Sequence, residues 1–530
     1  MTPDSEPELF KHFAPDSIWA RAAFQPTYDP LDVVTSVYSV ATKQATIVPF
    51  QPFVTQAKLA AGLGLRNVVL KPRQVGSTTM LLSLLHACAW TTPNLNILVM
   101  SHLEQTTARI RETCKNWVTW LNETVDAKIR IGTDNAEELE FTDMNSRIYF
   151  ATSGTKGAGR SSTLHAVLLT EVAFWQGGEY GAILESVPDN GIVFTESTPN
   201  GPGNTFHTLY REKSSYVKHF FPWWIEPSRS LPYGDNEMVF TEDEAVLVAK
   251  HGLTKDQIAW RRWKIADMKA NGSKVPFEQE YPEDDVACFM ASIKSAIPAK
   301  LVVRIMEQAR YNPPVRTVDV HGDAWDPGGE MRVWIPPQAG HHYVVTCDVG
   351  GGHSDGDRSV AIVRDVDAGK RHVATLAGWW TPTKFADLTC ELATWYNKGY
   401  LSHERNGIGN EAVKQASERV GYANYHWSDR KGKDGEYRAG FYVNPEQRTP
   451  LLTGVVQEVV AQDFLSFDEE LIDEMSGMRI ERGRAASGWS DTIVFGANSH
   501  DDYVMAYAQG TEIMRTLVII NDVARPIQAL

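Results

Sequence analysis

A short apolar run, Asn67-Val-Val-Leu70, leads into Lys71-Pro-Arg-Gln-Val-Gly-Ser-Thr-Thr79 and then into a helical pattern over Thr78–Trp90. No other feature constrains the fold as tightly. A strand, a turn through Gly76 and a helix N-terminus leave backbone N–H groups facing one way. The helix dipole adds to them, so the turn is suited to hold phosphate. The lysine that usually follows the last glycine of such a loop is missing, because Gly76 is followed by Ser77 and Thr78. Lys71 opens the loop and Arg73 lies two residues on, and either can supply the cation that the β- and γ-phosphates need. Gln74, Gly76 and Ser77 complete the cradle, and Thr78 or Thr79 offers a hydroxyl to Mg²⁺.

The alternation continues. Asn96–Met100, Ser146–Phe150, Ala166–Leu169 and Gly191–Phe194 read as strands, and Glu104–Thr124 as a helix. Strands alternating with helices predict a mainly parallel α/β sheet. Ala166-Val-Leu-Leu-Thr-Glu171 delivers an acid at a strand end. The usual pair there is Asp-Glu, with Asp on Mg²⁺ and Glu orienting water. The pair here is Thr170-Glu171, so Glu171 can act as base and Thr170 only through a hydroxyl or a water. Phe194-Thr-Glu-Ser-Thr-Pro-Asn-Gly201 ends a strand in a hydroxyl-rich turn, with Thr198 suited to sense the γ-phosphate.

A second chemistry follows in the C-terminal half. Asp348 ends the apolar strand Tyr343–Asp348, Glu404 ends Tyr400–His403, and Asp501 and Asp502 open a late helix. Carboxylates from distant segments that converge can hold two hard cations roughly 4 Å apart, as metal-dependent phosphodiester cleavage requires. Asp501 either ligates metal or caps its helix. Asp355 and Asp357 read as turn residues, with metal binding or metal support a second option for Asp357. Asp348-Val-Gly-Gly also fits the phosphate loop of actin-like ATPases, but no second glycine loop of that kind follows.

At 530 residues the chain exceeds one ordinary core. The organisation read from pattern is a lead-in over 1–45, a first α/β domain over 46–290 and a proline- and glycine-rich connection over 291–335. A second α/β domain over 336–515 and a tail over 516–530 follow. No apolar run approaches the roughly 18–20 residues that span a bilayer. The N-terminus lacks a secretory signal pattern, and five scattered cysteines fit reduced thiols. A net charge of −15 disfavours passive coating of DNA. Basic residues gather locally at Arg430-Lys431-Gly-Lys433 and at Arg479, Arg482 and Arg484.

Taken in order, these motifs resemble the large terminase subunit of tailed phages, over about 50–510. Arg73-Gln74-Val75-Gly76 matches the family loop without its lysine, and some members carry the lysine at the loop's start, as Lys71 stands. Glu404-Arg-Asn-Gly407 and His500-Asp-Asp502 match the nuclease signatures. Ser197-Thr198-Pro199 resembles the coupling motif, and Phe277-Glu-Gln-Glu-Tyr-Pro282 a stretch near the end of the ATPase domain.

The resemblance implies an N-terminal P-loop-type ATPase domain with a parallel sheet and a C-terminal RNase H-like nuclease domain with a mixed sheet. It implies Gln56 reading adenine and Arg160 acting from a neighbouring subunit. ATP is the implied nucleotide, with two Mg²⁺ or Mn²⁺ ions at Asp348, Glu404 and Asp501 or Asp502. Implied partners are double-stranded DNA, a portal protein and a small terminase subunit. The implied assembly is a homo-oligomeric ring such as a pentamer on the procapsid, with a monomer in solution. The implied place is the cytoplasm of an infected bacterium, outside the mature virion. Competing readings are a helicase–nuclease that meets no capsid and a structural adaptor with degenerate sites.

The segment Asp429–Glu436 is either a solvated loop or the DNA grip. Replacing Arg430, Lys431 and Lys433 together by Ala decides between them. If the segment grips DNA, the salt slope of binding falls by about 0.9 per lost phosphate contact. Wild-type affinity and slope would assign it to solvent.

Overall fold

Val68, Val69 and Leu70 are fully buried, as are Val167, Leu168 and Leu169 and Val193 and Phe194. Strands apolar on both faces belong in the interior of a parallel sheet covered on two sides. The computed structural model bears this out. It describes residues 30–41, 46–155, 163–175, 178–212, 214–234, 237–291, 294–321, 328–353, 356–427, 437–485, 488–496, 500–520 and 523–526. The chain divides into two units, Met1–Ser292 and Ile293–Leu530.

The strands and main helices of the first unit's sheet are β1 (Arg66–Leu70), α1 (Ser77–Thr91), β2 (Asn96–Ser101), α2 (Glu104–Val125), β3 (Ile131–Asp134), β4 (Glu138–Phe141), β5 (Ser146–Thr152), β6 (Ala166–Thr170), β7 (Ile192–Ser197) and β8 (Val217–Phe220). The eight-stranded sheet runs β8-β1-β7-β6-β2-β5-β4-β3. The first six are mutually parallel, and β4 and β3 add an antiparallel edge. α1 is buried almost all round, so it lies inside the unit as a core helix. Short helices follow the sheet, with Lys255–Ala270 the longest of them.

The second unit is built on β9 (Arg316–Val320), β10 (Gly328–Val333), β11 (Tyr343–Asp348), β12 (Ser359–Asp365), β13 (Arg371–Trp379) and β14 (Tyr400–His403). Their order is β9-β10-β13-β12-β11-β14. β11, β12 and β13 form an antiparallel meander, and β14 returns parallel to β11. Helix α3 (Pro382–Trp395) makes that crossover. This is the strand plan of an RNase H-like domain, as the sequence implied.

Residues 291–335 are not a bare connection. They contain the helix Ala299–Tyr311 and the sheet strands β9 and β10. The prolines that suggested a linker fall between these elements, where they terminate rather than forbid them. The stretch at 516–530 carries a strand pair, Leu517–Ile520 with Val523–Pro526. Part of the lead-in is a helix, Pro30–Val37.

After the short helical stretch Gly409–Arg419, the second unit continues with α4 (Pro445–Val460), α5 (Glu469–Ser476) and α6 (Asp502–Thr516). A hairpin, β15 (Arg479–Ala485) with β16 (Gly488–Val494), lies between α5 and α6 in sequence. α6 is fixed to the sheet by polar ties. The Thr346 hydroxyl donates to the Ala506 carbonyl at 2.7 Å. Arg364, nearly inaccessible, donates to Thr511 at 2.8 Å and pairs with Glu458 of α4 at 3.0 Å. Tyr507 donates to the same carboxylate at 2.8 Å.

Removing one partner of a buried ion pair leaves the other uncompensated. Arg364→Met is therefore expected to destabilise this unit by about 3 kcal/mol. Thermal or urea unfolding checks this, and an unchanged midpoint would mean that apolar packing alone holds α6.

Candidate functional site

In the first unit the turn after β1 is held from three sides. The Lys71 N–H donates to Ser197 O at 3.2 Å, and the Arg73 N–H to Glu280 O at 3.0 Å. Gln56 donates from Nε2 to the Gly76 carbonyl at 2.8 Å and accepts the Phe53 N–H at 2.8 Å. Both ends of its amide thus brace the loop and its own helix. Gly76 has φ +73°, and a Cβ there would stand 2.5 Å from Gln56 Nε2, so the position needs glycine on both counts. Gly76 caps α1 with no side-chain hydrogen bond, and the helix opens on Ser77, Thr78 and Thr79. Ser77 is buried, Thr78 and Thr79 are half-buried, and Gln74 is exposed in the left-handed region at φ 59°.

The two candidate cations diverge. Buried Lys71 meets Glu171, Nζ to Oε1 at 3.1 Å. Arg73 is exposed and pairs with Glu280 of the Phe277–Pro282 stretch. Burial pushes the Lys71 ammonium down, but the Glu171 and Glu196 carboxylates outweigh it and hold it above its usual range. Burial likewise pushes Glu171 up, and Lys71 outweighs that, so Glu171 stays ionised below its usual range. Glu171 also faces the Thr198 N–H at 3.4 Å. Lys71, Glu171 and Thr198 therefore meet beside the helix N-terminus. Arg160 lies outside the described residues.

Sequence reasoning missed Glu196. It is wholly buried in β7, level with Thr170 across the sheet. Its Oε1 accepts from Thr78 and, at 2.9 Å, from Thr170. The signal was present: an acid inside the apolar strand Ile192–Ser197 is costly unless it has a task.

In the second unit, parallel pairing sets Cys347 level with His403. The next residues, Asp348 and Glu404, therefore emerge side by side. The Glu404 N–H donates to Cys347 O at 2.9 Å. Gly409 allows the turn that follows, since a Cβ there would lie 2.1 Å from Glu404 O. Asn406 clamps the other side through the Val443 backbone. Asp502 enters from the start of α6, where the Arg358 N–H donates to its Oδ2 at 2.9 Å.

These carboxyls are close enough to perturb one another. Burial, then Glu404, Asp502 and Glu474, push Asp348 well above the carboxylate range. Burial pushes Asp502 up to about 7. Glu404 is raised mainly by burial. Glu474 of α5 is raised by burial and by Asp502, and it accepts the Tyr503 and Val504 N–H groups at 2.9 and 3.0 Å. Sequence reasoning missed it too, because Asp473-Glu474 looks like one more solvated pair on a helix. Asp357, His500 and Asp502 form a second group whose ligand atoms all lie within 4.8 Å of one another. Asp501 turns instead to an ion pair with Arg448 and makes no helix-capping hydrogen bond. Carboxylate oxygens gathered in this way are the donors hard divalent cations prefer, and His500 adds an imidazole beside them.

Among the basic candidates, Arg438 is exposed and its charge faces Arg405, next to Glu404. Arg482 is exposed on β15, and Arg479 pairs with Glu481 at 2.7 Å. Residues 428–436, with Arg430, Lys431 and Lys433, and the Arg484 side chain lie outside the described residues. The two flanks of 428–436 pair with each other through Trp427 and Ala439, and Phe441 on the C-terminal flank bridges Glu404.

No protein-family model matches the sequence, and no curated protein matches it. Among solved structures, the large terminase of bacteriophage HK97 aligns over 91% of this chain and 98% of its own, at 12% identity and TM-score 0.43. The large terminase nuclease of thermophilic phage G20c, solved with magnesium bound, covers 39% of this chain and 96% of its own, at 19% identity and TM-score 0.30. The large terminase ATPase domain of Thermus phage P74-26 covers 44% and 93%, at 14% and 0.33. The chain is similar to phage large terminases. The G20c nuclease has also been solved with cobalt and with zinc. Among the described residues, no helix is long and apolar enough to cross a membrane.

The acidic group fixes a pH dependence. Its folded pKa values lie above the unfolded ones, so the folded state keeps protons that the unfolded chain has lost. Stability is then highest at low pH and falls as pH rises from the carboxylate value of 3.8 through about 7, where Asp502 titrates. In EDTA the second unit's melting temperature should fall across that window, and Mn²⁺ should raise it most at the alkaline end. A Mn²⁺ effect that is absent or independent of pH would show that the group is not built around a cation.

Proposed function

We propose that the chain is the large terminase of a tailed phage, an ATP-driven motor that moves double-stranded DNA into a procapsid and cuts the concatemer. One observation supports this reading most. Each unit carries its own acidic centre at the C-terminal ends of parallel strands, a phosphate loop in the first and converging carboxyls in the second.

At the first centre the backbone N–H groups of α1 and Lys71 hold the phosphates, and Thr78 offers its hydroxyl to Mg²⁺. Glu171 orients the attacking water and takes its proton, for which it must be ionised, as its lowered pKa ensures. Release of Lys71 from Glu171 onto the γ-phosphate would free that carboxylate, so the apo ion pair acts as a latch. Thr198, hydrogen-bonded to Glu171, carries the state of the nucleotide to the strand that follows.

At the second centre Asp348, Glu404 and Asp502 would hold one divalent cation, and Asp502 with Asp357 and His500 would hold the other. Bound metals supply an activated water and steady the leaving oxygen. The chain's own part is to hold these oxygens in place and keep the phosphodiester over them. No base-reading element is evident among the described residues, so contacts go to phosphate and cutting is nearly independent of sequence. A portal protein, a small terminase subunit and a ring of identical subunits are the partners of this reading, with Arg160 completing a neighbour's ATP site.

Substitutions should separate the two centres. Lys71→Ala should lower ATP turnover on the order of 10²-fold or more. Glu171→Gln should bind ATP and turn it over very slowly. Asp348→Ala, Glu404→Ala and Asp502→Ala should each abolish plasmid cutting in Mn²⁺ and leave ATP hydrolysis nearly intact. Loss of both activities in Asp348→Ala would argue against two independent sites. ATP turnover unaffected by portal protein would favour a nuclease motor that meets no capsid.

A further inference from the structure

Thr170 stands where the reading above calls for a second acid, and a threonine cannot supply negative charge to a cation. The fold places an acid beside it. Parallel pairing of β6 and β7 sets Glu196 level with Thr170, and pairing of β7 with β1 sets it level with Val69, two residues before Lys71. Its Oε1 accepts from the Thr78 hydroxyl and from Thr170. Its Oε2 is buried and accepts no hydrogen bond among the described residues. A carboxylate oxygen held away from water and left without a donor is costly.

We infer that Glu196 is the acid that positions the nucleotide's divalent cation, having moved one strand across from the position Thr170 occupies. The inference rests on the nucleotide reading of the loop. Glu196 is a positioning residue. By accepting the Thr78 proton it turns that hydroxyl's lone pairs toward the cation. Its Oε2, which has no donor among the described residues, is the acceptor for a water carried by the metal. Thr170 keeps the carboxylate in register by donating to it. Mg²⁺ retains several waters and needs acceptors for them, which one buried oxygen at this depth provides. Glu171 is thereby left free for the water-orienting role, since it need not also serve the metal.

The test measures binding rather than turnover, on the full chain with a fluorescent ADP analogue titrated in EDTA and in Mg²⁺. For the wild type, Mg²⁺ should tighten binding. Glu196→Gln should bind as the wild type does in EDTA and lose about 10- to 100-fold of the Mg²⁺ gain, the usual effect of removing a group that orients a metal ligand. Thr170→Asp added to Glu196→Gln should restore that gain. A full Mg²⁺ gain in Glu196→Gln would overturn the inference and leave Glu196 as a tie between α1 and the sheet. If that variant melts early, Glu196→Asp keeps the charge and withdraws the oxygen; a partial loss of the gain is expected, and no loss would overturn the inference equally. A wild type that binds no nucleotide in either buffer would remove the nucleotide reading itself, a different failure from an unchanged Mg²⁺ gain.

Discussion

The constraint on which both units turn is the placing of carboxylates at the C-terminal ends of parallel strands with too little positive charge around them. Taking a carboxylate out of water costs several kcal/mol unless it is paired and hydrogen-bonded. Glu171 meets Lys71 at 3.1 Å, which satisfies that requirement. Glu196 has only hydroxyl donors among the described residues. Burial raises Asp348, Glu404, Asp502 and Glu474 alike, and neighbouring carboxylates add to the rise at Asp348 and Glu474. On the function proposed above, both places are suited to cations that the chain does not itself supply.

The rest of each unit can be understood as the scaffold for that arrangement. In the first, register across three parallel strands brings Val69, Glu196 and Thr170 into line, and Gln56 and Glu280 secure the loop that follows. In the second, parallel pairing of β11 with β14 fixes Asp348 beside Glu404. The third acid comes from a helix and needs its own anchor. Arg364, Glu458, Tyr507 and Thr346 supply it along α6, and Arg332 supplies it near the N-terminus by donating to Tyr503 at 3.1 Å. A shift of α6 by one residue would carry Asp502 away from Asp348.

Much of this was legible in the sequence. The strands β11 and β14 begin and end where the apolar runs do, because buried parallel strands read as unbroken hydrophobic stretches bounded by charge or glycine. Lys71, Glu171, Asp348 and Glu404 stood out because each follows or ends such a run, and Asp502 because it opens a helix beside a second acid. Glu196 and Glu474 did not. Glu196 lies within its strand rather than at the end, and its meaning comes from register with Thr170, which one sequence does not show. Glu474 sits on an acidic helix where every carboxylate looks solvated. The segment 291–335 misled because prolines mark element ends as readily as linkers. Asp501 could not be told from Asp502 by sequence, since a helix start fixes which of two adjacent acids faces the sheet.

The central claim is that two separate centres await divalent cations, one of them only with nucleotide present. Uptake of Mn²⁺ by the full chain, followed as loss of the free-ion paramagnetic resonance signal beyond that of a protein-free sample with the same ADP, tests it most directly. The account predicts Mn²⁺ uptake without nucleotide, abolished in Asp348→Ala, and further uptake when ADP is added, which persists in that variant. No uptake under either condition, or a nucleotide-dependent increment that vanishes with Asp348, would contradict it.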